Sequence, residues 1–207
     1  MIMIKLYETP ILNKKIKEES MTFGKYKITL KCLKQVKGHD DSLPFTAKMY
    51  VNNKPFCEAY NDGWGGSAML TIINKELFEM IDNEVIKYYI IYDKKEIGKY
   101  TLSDVADELA CIIVDNKKLW NLIRDNEYNN FIFYNGVSTK MIHYTTKGMK
   151  CYTPIKTLFK TNSMYLTLSA MIKRECEHNN YKCINKNVPI DFIEKFNLQE
   201  CFNLNIY

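Results

Sequence analysis

Apolar and polar residues alternate along the first third of the chain, which is the pattern of half-buried β-strands. In the first run, 25–36, the apolar positions are Tyr26, Ile28, Leu30 and Cys32. Alternation resumes over 45–51 and over 56–60, and 67–73 has the composition of one more strand or of an extended entry to a helix. Turn-forming residues separate these runs, so the pattern predicts an antiparallel meander.

The apolar spacing changes to that of helices after Asn74, which is a predicted N-cap. The stripe that follows consists of Leu77, Met80, Ile81 and Val85. Thr101-Leu-Ser-Asp104 has the form of a capping box and predicts a long helix with an apolar stripe as far as Ile123. Shorter helices are predicted after Pro154, from Asn162 or Ser163, and after Pro189.

One further hairpin is predicted around Asn135-Gly136, because this dipeptide favours a tight turn and apolar residues flank it. Residues 88–92 suit either a helix end or a short strand. The order of strands first and helices mostly later predicts an α+β fold and argues against a parallel doubly wound sheet. We expect one α+β domain over 1–207, with a soft boundary near residue 74 as the alternative.

The 207 residues are 46% apolar and 13% aromatic, which is enough to build a substantial core. The N-terminal apolar run is too short for a signal peptide, and no stretch approaches the roughly 20 apolar residues of a membrane span. From these features we expect a cytoplasmic protein without a membrane partner.

The seven cysteines are widely scattered and include no C-x-x-C pair, which favours reduced and mostly buried thiols over a disulfide framework. Cys111 lies on the apolar stripe of the long predicted helix, beside Ile112 and Ile113, so we expect it in the core. Cys176, His178 and Cys183 match no familiar zinc spacing. The sequence therefore predicts no metal and no cofactor.

Positive charge is concentrated near the N-terminus, where residues 1–38 hold nine lysines against three glutamates. Lys27, Lys31 and Lys48 fall on the polar sides of predicted strands, where they offer a surface for a phosphate backbone. The alternative is that they only protect the sheet from aggregation. Arg124 and Arg174 are the only arginines, so we expect no sequence-specific DNA reading.

The glycine turn, residues 61–66, concentrates three of the eight glycines and one of the two tryptophans in Asn-Asp-Gly-Trp-Gly-Gly. The candidate binding residues in it are Asp62, Gly63, Trp64, Gly65 and Gly66. Three interpretations are open: a nest of N–H groups for a phosphate, a loop that presents Trp64 to a protein partner, or a tight turn with Trp64 folded onto the core.

The acidic loop, residues 39–42, contains His39, Asp40 and Asp41 between two predicted strands. These side chains could hold a divalent ion or move protons, and they are also ordinary turn residues. In a meander, this loop and the glycine turn both follow strands that run in the same direction. We therefore expect them at the same end of the sheet.

The segment 25–66 resembles a group of small proteins encoded by bacteriophages and mobile elements. The shared features are a strand, an Asp-rich loop, a strand ending in V-N-N-K-P and a closing N-D-G-x-G-G. This resemblance implies a phage origin, and with it the hypothesis of a protein that inhibits bacterial defence, as anti-CRISPR proteins do.

The leading hypothesis is a non-enzymatic binding protein that targets a host protein, a ribonucleoprotein or a nucleotide second messenger. The first alternative is a metal-dependent enzyme that cleaves nucleotides or phosphodiesters with the residues of the acidic loop. The second is a structural or assembly protein. The sequence leaves the oligomeric state open.

Overall fold

The computed structural model describes residues 17–92, 95–135, 138–145, 153–159, 162–185 and 187–202. Within this part of the chain an antiparallel five-stranded sheet precedes most of the helices, which confirms the predicted α+β class. None of its helices combines the length and the apolarity that a bilayer crossing needs.

The first sheet is a simple meander in which every strand pairs with its neighbour in the chain. Its strands are β1 (Glu19–Phe23), β2 (Tyr26–Gln35), β3 (Phe45–Val51), β4 (Lys54–Asn61) and β5 (Met69–Ile72). β1 was not predicted. It pairs with β2 across a turn at Gly24, whose φ of +56° suits glycine.

Two helices cover the inner face of this sheet. They are α1 (Lys75–Val85) and the first half of α2 (Leu102–Asn126), and both contribute apolar side chains to one core with the sheet. The predicted caps are confirmed. Asn74 accepts the Leu77 N–H at 3.0 Å. Asp104 accepts the Thr101 N–H at 2.9 Å, and Thr101 Oγ1 accepts the Asp104 N–H at 3.3 Å.

Between these helices lies a second hairpin that the sequence did not distinguish from a helix end. Its strands are β6 (Tyr89–Tyr92) and β7 (Lys95–Lys99). The prediction of a single further hairpin was therefore wrong. Ile91 and Ile97 are both exposed, so an alternation of buried and exposed positions was too weak to mark this pair.

The C-terminal part contains the hairpin predicted near Asn135-Gly136. It consists of β8 (Asn130–Tyr134) and β9 (Thr139–His143), and β10 (Lys182–Cys183) adds a third antiparallel strand. The pairing of Tyr134 with Thr139 leaves four residues in the loop. Three further helices are α3 (Ile155–Leu158), α4 (Tyr165–Asn179) and α5 (Ile190–Lys195).

Two cysteines that the sequence placed in the core are exposed. Cys32 has a φ of +56° and lies in a β-bulge between Lys31 and Lys34, which interrupts the alternation of β2. Cys111 lies on the exposed side of α2. By contrast, Cys57 and Cys183 are buried as expected.

The chain divides into two compact units, and the division falls inside α2 between Lys117 and Lys118. The soft boundary predicted near residue 74 lies inside the unit that ends at Lys117. Whether the two units fold together is a question of cooperativity, so the single domain stays a prediction.

Candidate functional site

The acidic loop and the glycine turn lie side by side at one end of the five-stranded sheet. The acidic loop connects β2 to β3, and the glycine turn connects β4 to β5. The His39 N–H donates to the Asp62 carbonyl at 3.0 Å, and the Ser42 N–H donates to the Gly63 carbonyl at 3.0 Å. The predicted juxtaposition of the two loops is therefore confirmed.

The side chain of Asn61, which is 3% exposed, holds the two loops together. Its Oδ1 accepts the Ser42 hydroxyl at 3.0 Å and the Gly63 N–H at 2.8 Å. Its Nδ2 donates to the Gly66 carbonyl at 3.0 Å and to Asp107 Oδ1 at 2.9 Å. Two donors and two acceptors satisfy the full hydrogen-bonding capacity of an amide side chain.

Three consecutive backbone N–H groups of the glycine turn, those of residues 63–65, donate to side-chain oxygens of the protein. The acceptors are Asn61 Oδ1 at 2.8 Å, Asp62 Oδ1 at 3.1 Å and Ser42 Oγ at 3.2 Å. A phosphate nest needs such groups unpaired and directed to one point. In this conformation the turn does not offer these three groups to a ligand.

Trp64 is on the surface, so the interpretation in which it covers the core is wrong. It is 68% exposed. The His39 ring stacks on it with ring centroids 3.9 Å apart and an angle of 16° between the planes. The stacking holds the indole at the surface with one face covered by the acidic loop.

Glycine is required where the two loops approach each other. Gly63 has a φ of +89°, and a Cβ atom at this position would lie 2.0 Å from the His39 carbonyl oxygen. Gly65 also has a positive φ, of +81°. Gly66 has no other atom within 4 Å of such a Cβ. The three glycines of the turn thus differ in whether a larger residue could replace them.

His39, Asp40 and Asp41 bring three ligand atoms within 4.8 Å of one another, the only such group found in the described residues. His39 Nδ1 lies 3.1 Å from Asp41 Oδ2 and 3.7 Å from Asp40 Oδ1. This nitrogen is buried, yet neither contact has the geometry of a hydrogen bond. Both carboxylates are exposed to water, so the group can attract a cation without enclosing it.

Asn61 and Asp107 were not among the predicted site residues. Asp107, on α2, accepts Asn61 Nδ2 and the Ala68 N–H, each at 2.9 Å. Burial raises the pKa of its carboxyl, although the hydrogen bonds from Ala68 and Asn61 act in the opposite direction. The available signal was the alternation of β4, which puts Asn61 on the inner face, where a polar side chain needs partners.

Lys27, Lys31 and Lys48 lie on the outer face of the sheet, away from the helices. Lys31 and Lys48 are opposite each other in register, and each has a carboxylate partner, at 3.0 Å in Glu18 and 3.1 Å in Glu58. These pairs reduce the attraction for a polyanion. Lys48 is three residues from Phe45, the end of β3 that lies next to the glycine turn. The Lys48 backbone is thus about 10 Å from that end of the sheet.

The outer face also carries an apolar pair close to the glycine turn. Tyr60 precedes Asn61 at the end of β4, and Met69, opposite it in register, begins β5. Both side chains are exposed. The same end of the sheet thus presents three large side chains to solvent, those of Tyr60, Trp64 and Met69.

Comparisons with protein-family models, with curated proteins and with solved structures found no match to this chain.

The close approach at Gly63 generates a stability prediction. We expect Gly63→Ala to lower the free energy of unfolding by at least about 2 kcal/mol, because a left-handed φ and a backbone clash act together. Gly66→Ala is the matched control, and it should change stability by less than about 0.5 kcal/mol. Urea unfolding followed by circular dichroism measures both variants. Equal effects would show that the clash at Gly63 relaxes freely.

The raised pKa of Asp107 generates a pH prediction. A carboxyl with a higher pKa in the folded than in the unfolded protein binds more protons when folded. Its contribution to stability is thus largest at low pH and decreases as the pH rises through its ordinary value of 3.8 towards the folded value. We expect the difference in Tm between the wild type and Asp107→Asn to shrink from pH 4 to pH 7. A constant difference would contradict this assignment.

Proposed function

We propose that this protein is a non-enzymatic binding protein that docks onto a partner protein through Trp64 and the side chains around it. One observation carries the proposal: the N–H groups of residues 63–65 are paired with side chains of the protein, and the turn presents a tryptophan that is 68% exposed. Tryptophan is the residue type most enriched among binding hot spots. The turn is thus better suited to presenting a side chain than to binding a phosphate.

The rigidity of the turn favours affinity. Asn61, Ser42 and the His39 ring hold the loop in one conformation before any partner arrives. A preformed loop loses little conformational entropy on binding, so more of the interaction energy remains as affinity. The exposed Tyr60 and Met69 extend the apolar surface beyond the indole.

The charges around the turn favour a basic partner surface. Asp40 and Asp41 are exposed beside Trp64, and the Asp62 carboxylate lies within the turn itself. These carboxylates repel a negatively charged phosphate, whereas they would attract lysine and arginine side chains of a partner. We therefore favour a protein target over a nucleotide second messenger or a nucleic acid.

The target that we propose is a component of a bacterial defence system, and the protein would then be a phage-encoded inhibitor acting in the host cytoplasm. This part of the proposal rests on the resemblance of 25–66 to proteins of phages and mobile elements. Small phage proteins without enzyme motifs often act by binding a host component, which requires a docking site and no catalytic group.

The test is an affinity capture from a bacterial lysate with identification of the retained protein, followed by calorimetry with the purified partner. We expect Trp64→Ala to weaken binding by about 2 kcal/mol or more, which is about 30-fold in Kd. Leu166→Ala, which removes an exposed apolar side chain on α4, is the control and should bind like the wild type.

Salt dependence distinguishes the possible targets. An interface built around an indole, with carboxylates only at its edge, should lose affinity modestly as salt increases, whereas phosphate contacts weaken steeply. Unchanged binding of the Trp64→Ala variant would refute the proposal. So would an intact nucleotide released from the purified protein as its only ligand.

A second candidate is a metal-dependent phosphodiesterase, and the observation that favours it is the convergence of His39, Asp40 and Asp41. A divalent ion there would activate a water molecule and neutralise a phosphate. The test is hydrolysis of bis(p-nitrophenyl) phosphate with and without Mn²⁺. This candidate requires turnover that depends on the metal and is lost in Asp40→Asn but retained in Glu96→Gln. Equal rates with and without Mn²⁺ would eliminate it.

A further inference from the structure

Two cysteines of the C-terminal unit come from separate elements and meet. Cys176 lies near the end of α4, and Cys201 ends a short 3₁₀ turn, Gln199–Cys201. The Cys176 thiol lies 3.6 Å from the Cys201 carbonyl oxygen, in hydrogen-bonding geometry. Its single S–H can donate to the Cys201 sulfur instead, since the two side chains interact directly. Both residues are half-buried, so small oxidants can reach them.

The surroundings make the two thiols chemically different. The hydrogen bond from Cys176 lowers the pKa of the Cys201 thiol to about 7, and the ammonium groups of Lys182 and Lys173 act in the same direction, while burial and Glu177 oppose them. The same hydrogen bond and burial raise the pKa of Cys176. A substantial fraction of Cys201 is therefore a thiolate at neutral pH, next to a protonated thiol at Cys176.

A third cysteine nearby, Cys183, does not ionise as Cys201 does. Cys183 on β10 is buried, and burial raises the pKa of its thiol to about 12. It therefore remains a thiol under the conditions in which Cys201 ionises, and a thiol reacts with peroxide far more slowly than a thiolate does.

We propose that Cys176 and Cys201 are an oxidisable thiol pair that closes to a disulfide when a peroxide reacts with Cys201. The Cys201 thiolate attacks one oxygen of hydrogen peroxide, the O–O bond breaks, and hydroxide leaves as Cys201 becomes a sulfenic acid. The Cys176 sulfur then attacks the Cys201 sulfur, and the sulfenic oxygen leaves as water with the thiol proton. In total the two thiols lose two electrons and two protons, and the peroxide is reduced to two molecules of water.

The disulfide would tie the 3₁₀ turn to α4 by joining residues 25 positions apart. A cross-link of this length restricts the unfolded chain and stabilises the unit that contains it. Cys176 and Cys201 are distant in sequence from the residues of the proposed docking surface. Oxidation of the pair is therefore a property separate from the proposed binding function.

The test treats the purified, reduced full-length chain with an equimolar amount of hydrogen peroxide, alkylates the remaining thiols and maps the peptides without reduction. We expect a peptide linked through Cys176 and Cys201 as the dominant disulfide, together with a rise in Tm that a reductant reverses. Cys57, which is buried in the other unit, should remain an unlinked thiol. The same treatment in denaturant should lose the preference for this pair.

Two variants test the roles of the sulfurs. In Cys176→Ser, Cys201 should stop at the sulfenic acid, which dimedone traps, whereas in Cys201→Ser the Cys176 thiol should stay unreactive. The pH profile of Cys201 alkylation should have its midpoint near 7 in the wild type. Its midpoint should move upward in Cys176→Ala, because the hydrogen bond to the thiolate is lost. Mixed linkages without preference, or an unreactive Cys201, would overturn the proposal.

Discussion

The candidate site depends on the hydrogen bonds of one buried amide, that of Asn61. A polar side chain on the inner face of a sheet costs free energy unless its donors and acceptors are paired. Here the partners come from the acidic loop, from the glycine turn and from α2, so one side chain fixes three segments together. Loss of any one partner would leave another buried polar group unsatisfied, which makes the arrangement cooperative.

This arrangement also decides what the turn can bind. A glycine-rich turn has the same sequence whether its N–H groups point to a ligand or to neighbouring side chains. Ser42 and the side-chain oxygens of Asn61 and Asp62 accept hydrogen bonds from the N–H groups of residues 63–65, and the side chain of Asp41 lies beside Gly65. What remains available is the indole of Trp64, supported by the His39 ring, and an apolar pair on the neighbouring strands. These are the groups that we propose for docking onto a partner protein.

Much of the fold was predictable because its signals are local. Caps at Asn74 and Thr101 act within one helical turn, and the alternation of β2, β3 and β4 reports one buried face. The features that the sequence did not predict depend instead on contacts with other parts of the chain. The bulge that exposes Cys32 and the pairing that makes β6 and β7 a hairpin depend on neighbours, so no periodicity marks them. The thiol pair of Cys176 and Cys201 was likewise invisible, since its members are 25 positions apart.

The sequence by itself determined the α+β class, the capped helices and the meeting of two loops at one end of a meander, because strand direction alone puts them there. Only the tertiary structure decided the role of the glycine turn. Whether Trp64 covers the core, and whether the N–H groups stay unpaired, depends on Asn61, Ser42 and Asp107, which come from three separate segments. Hydrogen bonds act over about 3 Å, so pairing between distant residues exists only after the chain has folded.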